Sequence, residues 1–94
     1  MFVLHVEMTI KPGKEGELEA TFQNIFKPAI SAQSGFGGVL LLKPVEEGAA
    51  HRMSIAFDSK DSQQRWVHMD LHQEVWPQIV SYFDQYSVNF YHGV

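Results

Sequence analysis

The chain contains no cysteine, and that absence removes disulfides, thiolate metal sites and cysteine nucleophiles together. Positive charge is scarce as well: seven Lys and Arg stand against eleven Asp and Glu, and the cations are scattered rather than striped. Neither nucleic acid nor a membrane is an expected partner, because both nucleic acid and anionic lipid need concentrated positive charge. No apolar run approaches the roughly 20 residues of a membrane-spanning helix. The first residues, MFVLHVEMTIKPG, have no basic lead and no small-residue cleavage site, so a cytoplasmic location is the expectation. There is no Gly-rich loop ending in Lys-Ser or Lys-Thr to hold phosphate, and no Ser sits in a GxSxG elbow.

What remains is a small, apolar, aromatic-rich chain. Its 94 residues make one domain, 1–94, and the 45% hydrophobic content is too high for disorder. A domain this short buries a modest share of its surface and gains from a partner subunit. With disulfides excluded, a homodimer is the support the composition leaves open.

The chain opens on strict alternation. Phe2, Leu4, Val6, Met8 and Ile10 share one face of a strand, with Val3, His5, Glu7 and Thr9 on the other. Pro12-Gly13 ends it, and from Lys14 the period becomes helical, with Leu18, Phe22, Ile25, Phe26 and Ala29 three and four apart. Pro28 predicts a kink in that helix and Gly35 its end. Val39–Leu42, an unbroken apolar run, predicts a strand buried on both faces. After the Glu46-Glu47-Gly48 turn, Arg52–Phe57 predicts a third strand. Asp58 or Ser59 can cap a second helix, in which Trp66, Met69, Leu71, Val75, Ile79 and Phe83 fall roughly in register. Pro77 predicts a break there, into two short helices with the kink between Leu71 and Pro77. Tyr86–His92 alternates again as a fourth strand.

Strand, helix, strand, strand, helix, strand is the split βαβ order of a ferredoxin-like α+β domain: an antiparallel βαββαβ sheet with its helices on one face. Its first and third strands would be central. The apolar face of the first strand then meets the helices. The open face would carry Val3, His5, Glu7, Arg52, Ser54, Asn89 and Tyr91, together with Val39 and Leu41. That mixture suits a second copy of the sheet better than water.

Three stretches carry a resemblance. The first strand ending in Lys-Pro-Gly, the Ser-Gly-Phe-Gly-Gly turn, and the segment from Phe57 through Trp66 to His72 resemble the antibiotic biosynthesis monooxygenase family of dimeric α+β barrels. The resemblance implies a ligand cleft between sheet and helices in each subunit. It also implies cofactor-independent oxidation of a quinol- or anthrone-like aromatic, with no metal and no cofactor. An isomerisation on the same scaffold, or a non-catalytic binding module, are the alternatives. The family's heme-degrading branch uses an Asn on strand one, a Trp on helix two and a later His. Those places hold Val6, Trp66 and Trp76 here, so one of three matches and that route is not expected.

By the same resemblance His72 and Trp66 are the candidate catalytic residues. An imidazole with an ordinary pKa of about 6.5 suits a proton acceptor from a phenolic substrate, and an indole can stack on an aromatic ring. The bland readings are a surface or cap His and a core Trp. Val6 and Met8, with Phe22, Phe26, Met53, Trp76 and Tyr82, would line an apolar pocket for an aromatic molecule, or fill it if none exists. His5, Glu7 and Arg52 share the open face, either as a proton-handling site or as a polar network fixing register. His68 and His72 have i, i+4 spacing, but HMDLH lacks the Glu of HExxH and no third ligand is evident, so no metal site is expected.

Overall fold

A computed structural model describes residues 1–94. The elements run β1 (Phe2–Ile10), α1 (Glu15–Thr21), a π-helical turn (Phe22–Phe26), α2 (Lys27–Ser31), β2 (Phe36–Leu42), β3 (His51–Phe57), α3 (Lys60–Val67), α4 (Asp70–Val80) and β4 (Phe83–His92). The four strands form one antiparallel sheet in the order β2-β3-β1-β4, with β1 and β3 central. This is the ferredoxin-like arrangement expected from the sequence.

The alternation of β1 does what its period requires. Leu4, Val6 and Met8 are buried against the helical layer, together with Met53, Ile55 and Phe57 of β3. Leu18, Phe22, Phe26 and Ile30 come down from the first helical run and Val75 and Ile79 from α4 to complete one core.

The first helical run is continuous but not uniform. At the Phe22–Phe26 turn the Lys27 amide donates back to the Phe22 carbonyl, five residues earlier, which is a π-bulge. Pro28 follows directly in the first turn of α2. Since proline offers no amide and crowds the carbonyl four residues before it, a locally widened turn is where this chain absorbs it. The bulge leaves both Phe22 and Phe26 buried.

Three sequence expectations are corrected. Val39 pairs with Ile55 and Leu41 with Met53, so both lie on the helix-facing side; Leu40 and Leu42 occupy the open face and are exposed in the single chain. The cause is local: β2 begins at Phe36, and an irregularity between Phe36 and Gly38 resets its register. Secondly, the second helix breaks at His68-Met69, ahead of the Leu71–Pro77 interval, and Pro77 lies inside α4 without ending it. Met69 is extended there (φ −74°, ψ 145°), and its amide bonds back to the Trp66 carbonyl at 3.1 Å. Asp70 opens the new helix, an acidic residue at the positive end of the dipole. Thirdly, β4 starts at Phe83, so Phe83 is a strand residue rather than the end of a helix.

Ser59 is the residue that caps α3, accepting from the Ser62 amide at 3.2 Å. Beneath this cap Gly35 has φ +81°, and a Cβ there would collide with the Ser62 hydroxyl and the Asp58 carboxylate. Glycine at 35 therefore allows the α2–β2 turn to lie directly against the start of α3.

On the open face, Glu7 and Arg52 are register partners joined by a half-exposed ion pair at 3.3 Å. His5 packs on Tyr91 with ring centroids 5.1 Å apart.

Candidate functional site

The sheet's helix-facing side is not covered evenly. On β1, Leu4, Val6 and Met8 are 8%, 1% and 1% exposed, whereas their β4 partners Phe90, Val88 and Tyr86 are 54%, 36% and 46% exposed. Over β4 the helical layer stands off the sheet and leaves an apolar cleft of about 200 Å³. Its floor is Leu4 and Val6 of β1 with Ile55 and Phe57 of β3, and its open rim is the β4 trio. Phe26 of the π-bulge, with Trp66, His72 and Trp76, lines it from the helical side.

The break at His68-Met69 has a direct consequence for this wall. His72 and Trp76 are four apart on α4 and share one helix face, while Trp66 comes from α3. His72 is thereby held between two indoles, edge-on to Trp66 at 5.2 Å (86°) and nearly parallel to Trp76 at 6.2 Å (22°). Trp76 in turn touches Phe26 at 5.7 Å and Tyr86 at 6.2 Å, so it links wall to rim.

Half-burial in this apolar surrounding pushes the His72 imidazole below its ordinary pKa of 6.5, because desolvation penalises the charged ring. At neutral pH the ring is uncharged and can accept a proton. The Gln73 amide donates to the Val67 carbonyl at 2.9 Å and approaches His72 Nδ1 at 3.3 Å. An amide NH₂ can only donate, so this contact favours the tautomer with the proton on Nε2 and a free-base Nδ1. The one non-aromatic polar residue of the cleft is Gln63, which is buried; its side-chain oxygen accepts from Gln64 at 2.8 Å.

Of the residues singled out in the sequence, the cleft gathers Val6, Phe26, Trp66, His72 and Trp76. Met8, Phe22 and Met53 are buried in the core outside it. Tyr82 is also away from it, its hydroxyl paired with Thr21 Oγ1 at 2.8 Å. His68 closes the end of α3 and does not share a helix face with His72, which corrects the i, i+4 reading of that pair. The residues that sequence reasoning passed over are Leu4, Ile55, Phe57, Gln63, Val67 and the β4 trio. The trio did carry a signal: Tyr86, Val88 and Phe90 alternate with polar residues, as an apolar strand face must. Gln63 carried none.

A wider recess of about 740 Å³ lies between the α2–β2 turn and α3, lined by Gln33, Ser34, Asp61, Arg65 and His68 among others. It is a polar surface groove in which Arg65 is already bonded to Ser62 at 3.0 Å. The smaller cleft is the better site, because it combines apolar walls with a few placed polar groups.

The sequence matches the antibiotic biosynthesis monooxygenase family over residues 1–76. The chain belongs to that family. No curated protein matches the sequence. Among solved structures, a mutant of SnoaB, a cofactor-independent oxygenase from Streptomyces nogalater, superposes with a TM-score of 0.86 at 12% identity, covering 98% of this chain and 91% of that one. A conserved protein from Methanosarcina mazei Go1 gives 0.84 at 15% identity over 97% and 90% of the two chains. A mutant of MhuD with two manganese protoporphyrin IX molecules per active site gives 0.77 at 19% identity over 100% and 95%. At such identities the structures share the antibiotic biosynthesis monooxygenase fold with this chain; what each binds or oxidises is a property of that protein.

Proposed function

We propose that this chain is a cofactor-independent monooxygenase of a small electron-rich aromatic, working as a homodimer. The observation that carries the reading is a half-buried His72 held between Trp66 and Trp76 in a mostly apolar cleft, where burial favours the uncharged ring. Membership of the antibiotic biosynthesis monooxygenase family and the resemblance to SnoaB support it.

For a hydroquinone the electrons and atoms close without a cofactor. His72 takes a hydroxyl proton on Nδ1, giving up the long Gln73 contact. The apolar cleft leaves the resulting phenolate poorly solvated and so more easily oxidised. One electron passes from the anion to oxygen; the radical pair joins at a ring carbon, and the peroxide anion takes the proton back from His72 to become a hydroperoxide. The O–O bond then breaks as that carbon loses its hydrogen, releasing water. Hydroquinone plus O₂ thus becomes hydroxyquinone plus H₂O, the substrate supplying all four electrons. Trp66 and Trp76 hold the ring and shape the wall.

The homodimer is supported by the open sheet face, where exposed Leu40, Leu42 and Tyr91 adjoin the half-exposed Glu7–Arg52 pair. Burying that face against a second copy would remove apolar surface from water and desolvate the ion pair.

A second reading, a non-catalytic module that binds an apolar metabolite, draws on the floor of the cleft, since β1 contributes only Leu4 and Val6 there. An isomerase would need His72 as base but no oxygen. Oxygen uptake with a panel of quinols and anthrones separates the monooxygenase from the other two, comparing the native chain with His72→Ala and Trp66→Phe. The monooxygenase reading expects uptake that collapses in His72→Ala. Uptake that survives both changes moves the site elsewhere, and no uptake with any quinol overturns the monooxygenase reading in favour of the binding module or the isomerase.

A further inference from the structure

The size and charge of the cleft narrow its ligand beyond the proposed reaction class. About 200 Å³ is available between the sheet and the α3–α4 wall. A cavity of about 150 Å³ holds a benzene ring, and sites for drug-sized molecules begin at about 300 Å³. Space for one ring with short substituents lies between these limits. Three fused rings or a porphyrin would leave most of their surface beyond the rim formed by Tyr86, Val88 and Phe90.

Charge is restricted as tightly as size. None of the lining residues is Lys, Arg, Asp or Glu, so a carboxylate, sulfate or phosphate on the ligand would shed hydration with no countercharge to meet it. The cleft instead offers His72 and Gln63. The Gln63 side-chain oxygen is engaged by Gln64, and its amide hydrogens have no side-chain or backbone acceptor. Every fully buried side-chain nitrogen and oxygen in the chain has a partner, so the Gln63 amide nitrogen must reach accessible surface. One ring oxygen can then meet His72 and a second can accept from Gln63.

We propose that the cleft selects an uncharged single-ring phenol or hydroquinone bearing at most short apolar substituents, with Gln63 as the donor to its second oxygen. This rests on the reading of the cleft as the site of oxidation, but it is tested by binding and therefore stands or falls separately. Ordinary hydrophobic affinity would favour larger aromatics, because gain scales with buried apolar area. The proposal requires the opposite order.

The test is anaerobic titration calorimetry of the full chain with methylhydroquinone, 1,4-dihydroxynaphthalene, anthrone, hemin and 2,5-dihydroxybenzoate. Methylhydroquinone is expected to bind at least tenfold more tightly than anthrone, hemin or the benzoate, with the naphthalene intermediate. Val88→Trp, a change on the exposed edge strand that fills the cleft, should abolish that binding without unfolding the chain. Gln63→Leu should weaken methylhydroquinone about tenfold while leaving 4-methylphenol, which has one oxygen, within about twofold. Anthrone or hemin binding as tightly as methylhydroquinone overturns the proposal, as does binding that survives Val88→Trp. If the one-ring preference appears but no oxygen is consumed, the oxidation reading fails and the size inference stands. If oxygen is consumed with equal preference for anthrone, the oxidation reading stands and the size inference fails.

Discussion

Beneath the helices, β1 and β4 present the same kind of surface to opposite fates. Leu4, Val6 and Met8 are sealed into the core, while their cross-strand partners Phe90, Val88 and Tyr86 stay open. The side chains on both strands are large and apolar, so composition is not the cause. What differs is what lies above. β1 is central and lies under the main helical layer, whereas β4 is an edge strand facing a wall that is interrupted at His68-Met69. An apolar surface that folding leaves uncovered is a place for something else to bind.

The sharpest test of that contrast is a pair of truncations on the same side of the sheet. Met53→Ala, in the sealed region, should cost about 2–5 kcal/mol, whereas Val88→Ala should stay within about 0.5 kcal/mol. Urea denaturation of both variants measures the difference, and equal losses would mean that the β4 face is core after all. Next in size is Gly35→Ala, which tests the seat of α3 rather than the core. The positive φ alone costs about 1–3 kcal/mol, and the clash with Ser62 and Asp58 adds to it. Gly13→Ala is the control, since Gly13 also has a positive φ but open space around it. If the two cost the same, the close packing under α3 contributes nothing.

Phe90→Ala separates binding from stability on the open side. Stability should fall by only about 0.5–1.5 kcal/mol, the scale of the stacking of Phe90 on buried Phe2 at 5.7 Å. Affinity for a hydroquinone should fall about five- to tenfold, on the scale of one aromatic contact.

The pH dependence of His72 comes next. Burial lowers its folded pKa below the unfolded 6.5, so the unfolded chain takes up the proton first as pH falls. Its contribution to stability is full above pH 6.5 and declines as pH drops through the folded value. Turnover that uses the neutral ring should follow the same direction, with an acid limb centred below 6.5. A rate profile centred above 6.5 would dissociate His72 from the proton transfer. The smallest effect belongs to Gln73→Ala: losing a long donor to Nδ1 favours the protonated ring and should move that limb upward by less than about half a pH unit.

Much of this architecture was legible in the chain. The alternation of β1, the Pro12-Gly13 and Glu46-Glu47-Gly48 turns and the helical spacing around Leu18–Phe26 define the βαββαβ order by their periods alone. The β2 faces were not legible, because a register irregularity at Phe36–Gly38 reverses the parity of an unbroken apolar run, and such a run has no period of its own to read. The position of the helix break was hidden for a related reason. Proline is a strong signal, yet α4 tolerates Pro77, while His68-Met69 breaks the helix with two residues that carry no turn propensity. At the site, Trp66, His72 and Trp76 were visible as residue types, but the break that brings His72 between the two indoles was not. Gln63 was invisible, since nothing in a sequence distinguishes a buried amide on a helix from a solvated one.

The central claim is that the cleft between the α3–α4 wall and β4 is where a small aromatic binds. The most direct measurement is a crystal structure of the chain grown anaerobically with methylhydroquinone. The account predicts the ring between Trp66 and the Tyr86–Phe90 rim, with one oxygen within hydrogen-bond distance of His72. A ring seated in the polar groove beside Arg65, or on the open face of the sheet, would contradict it.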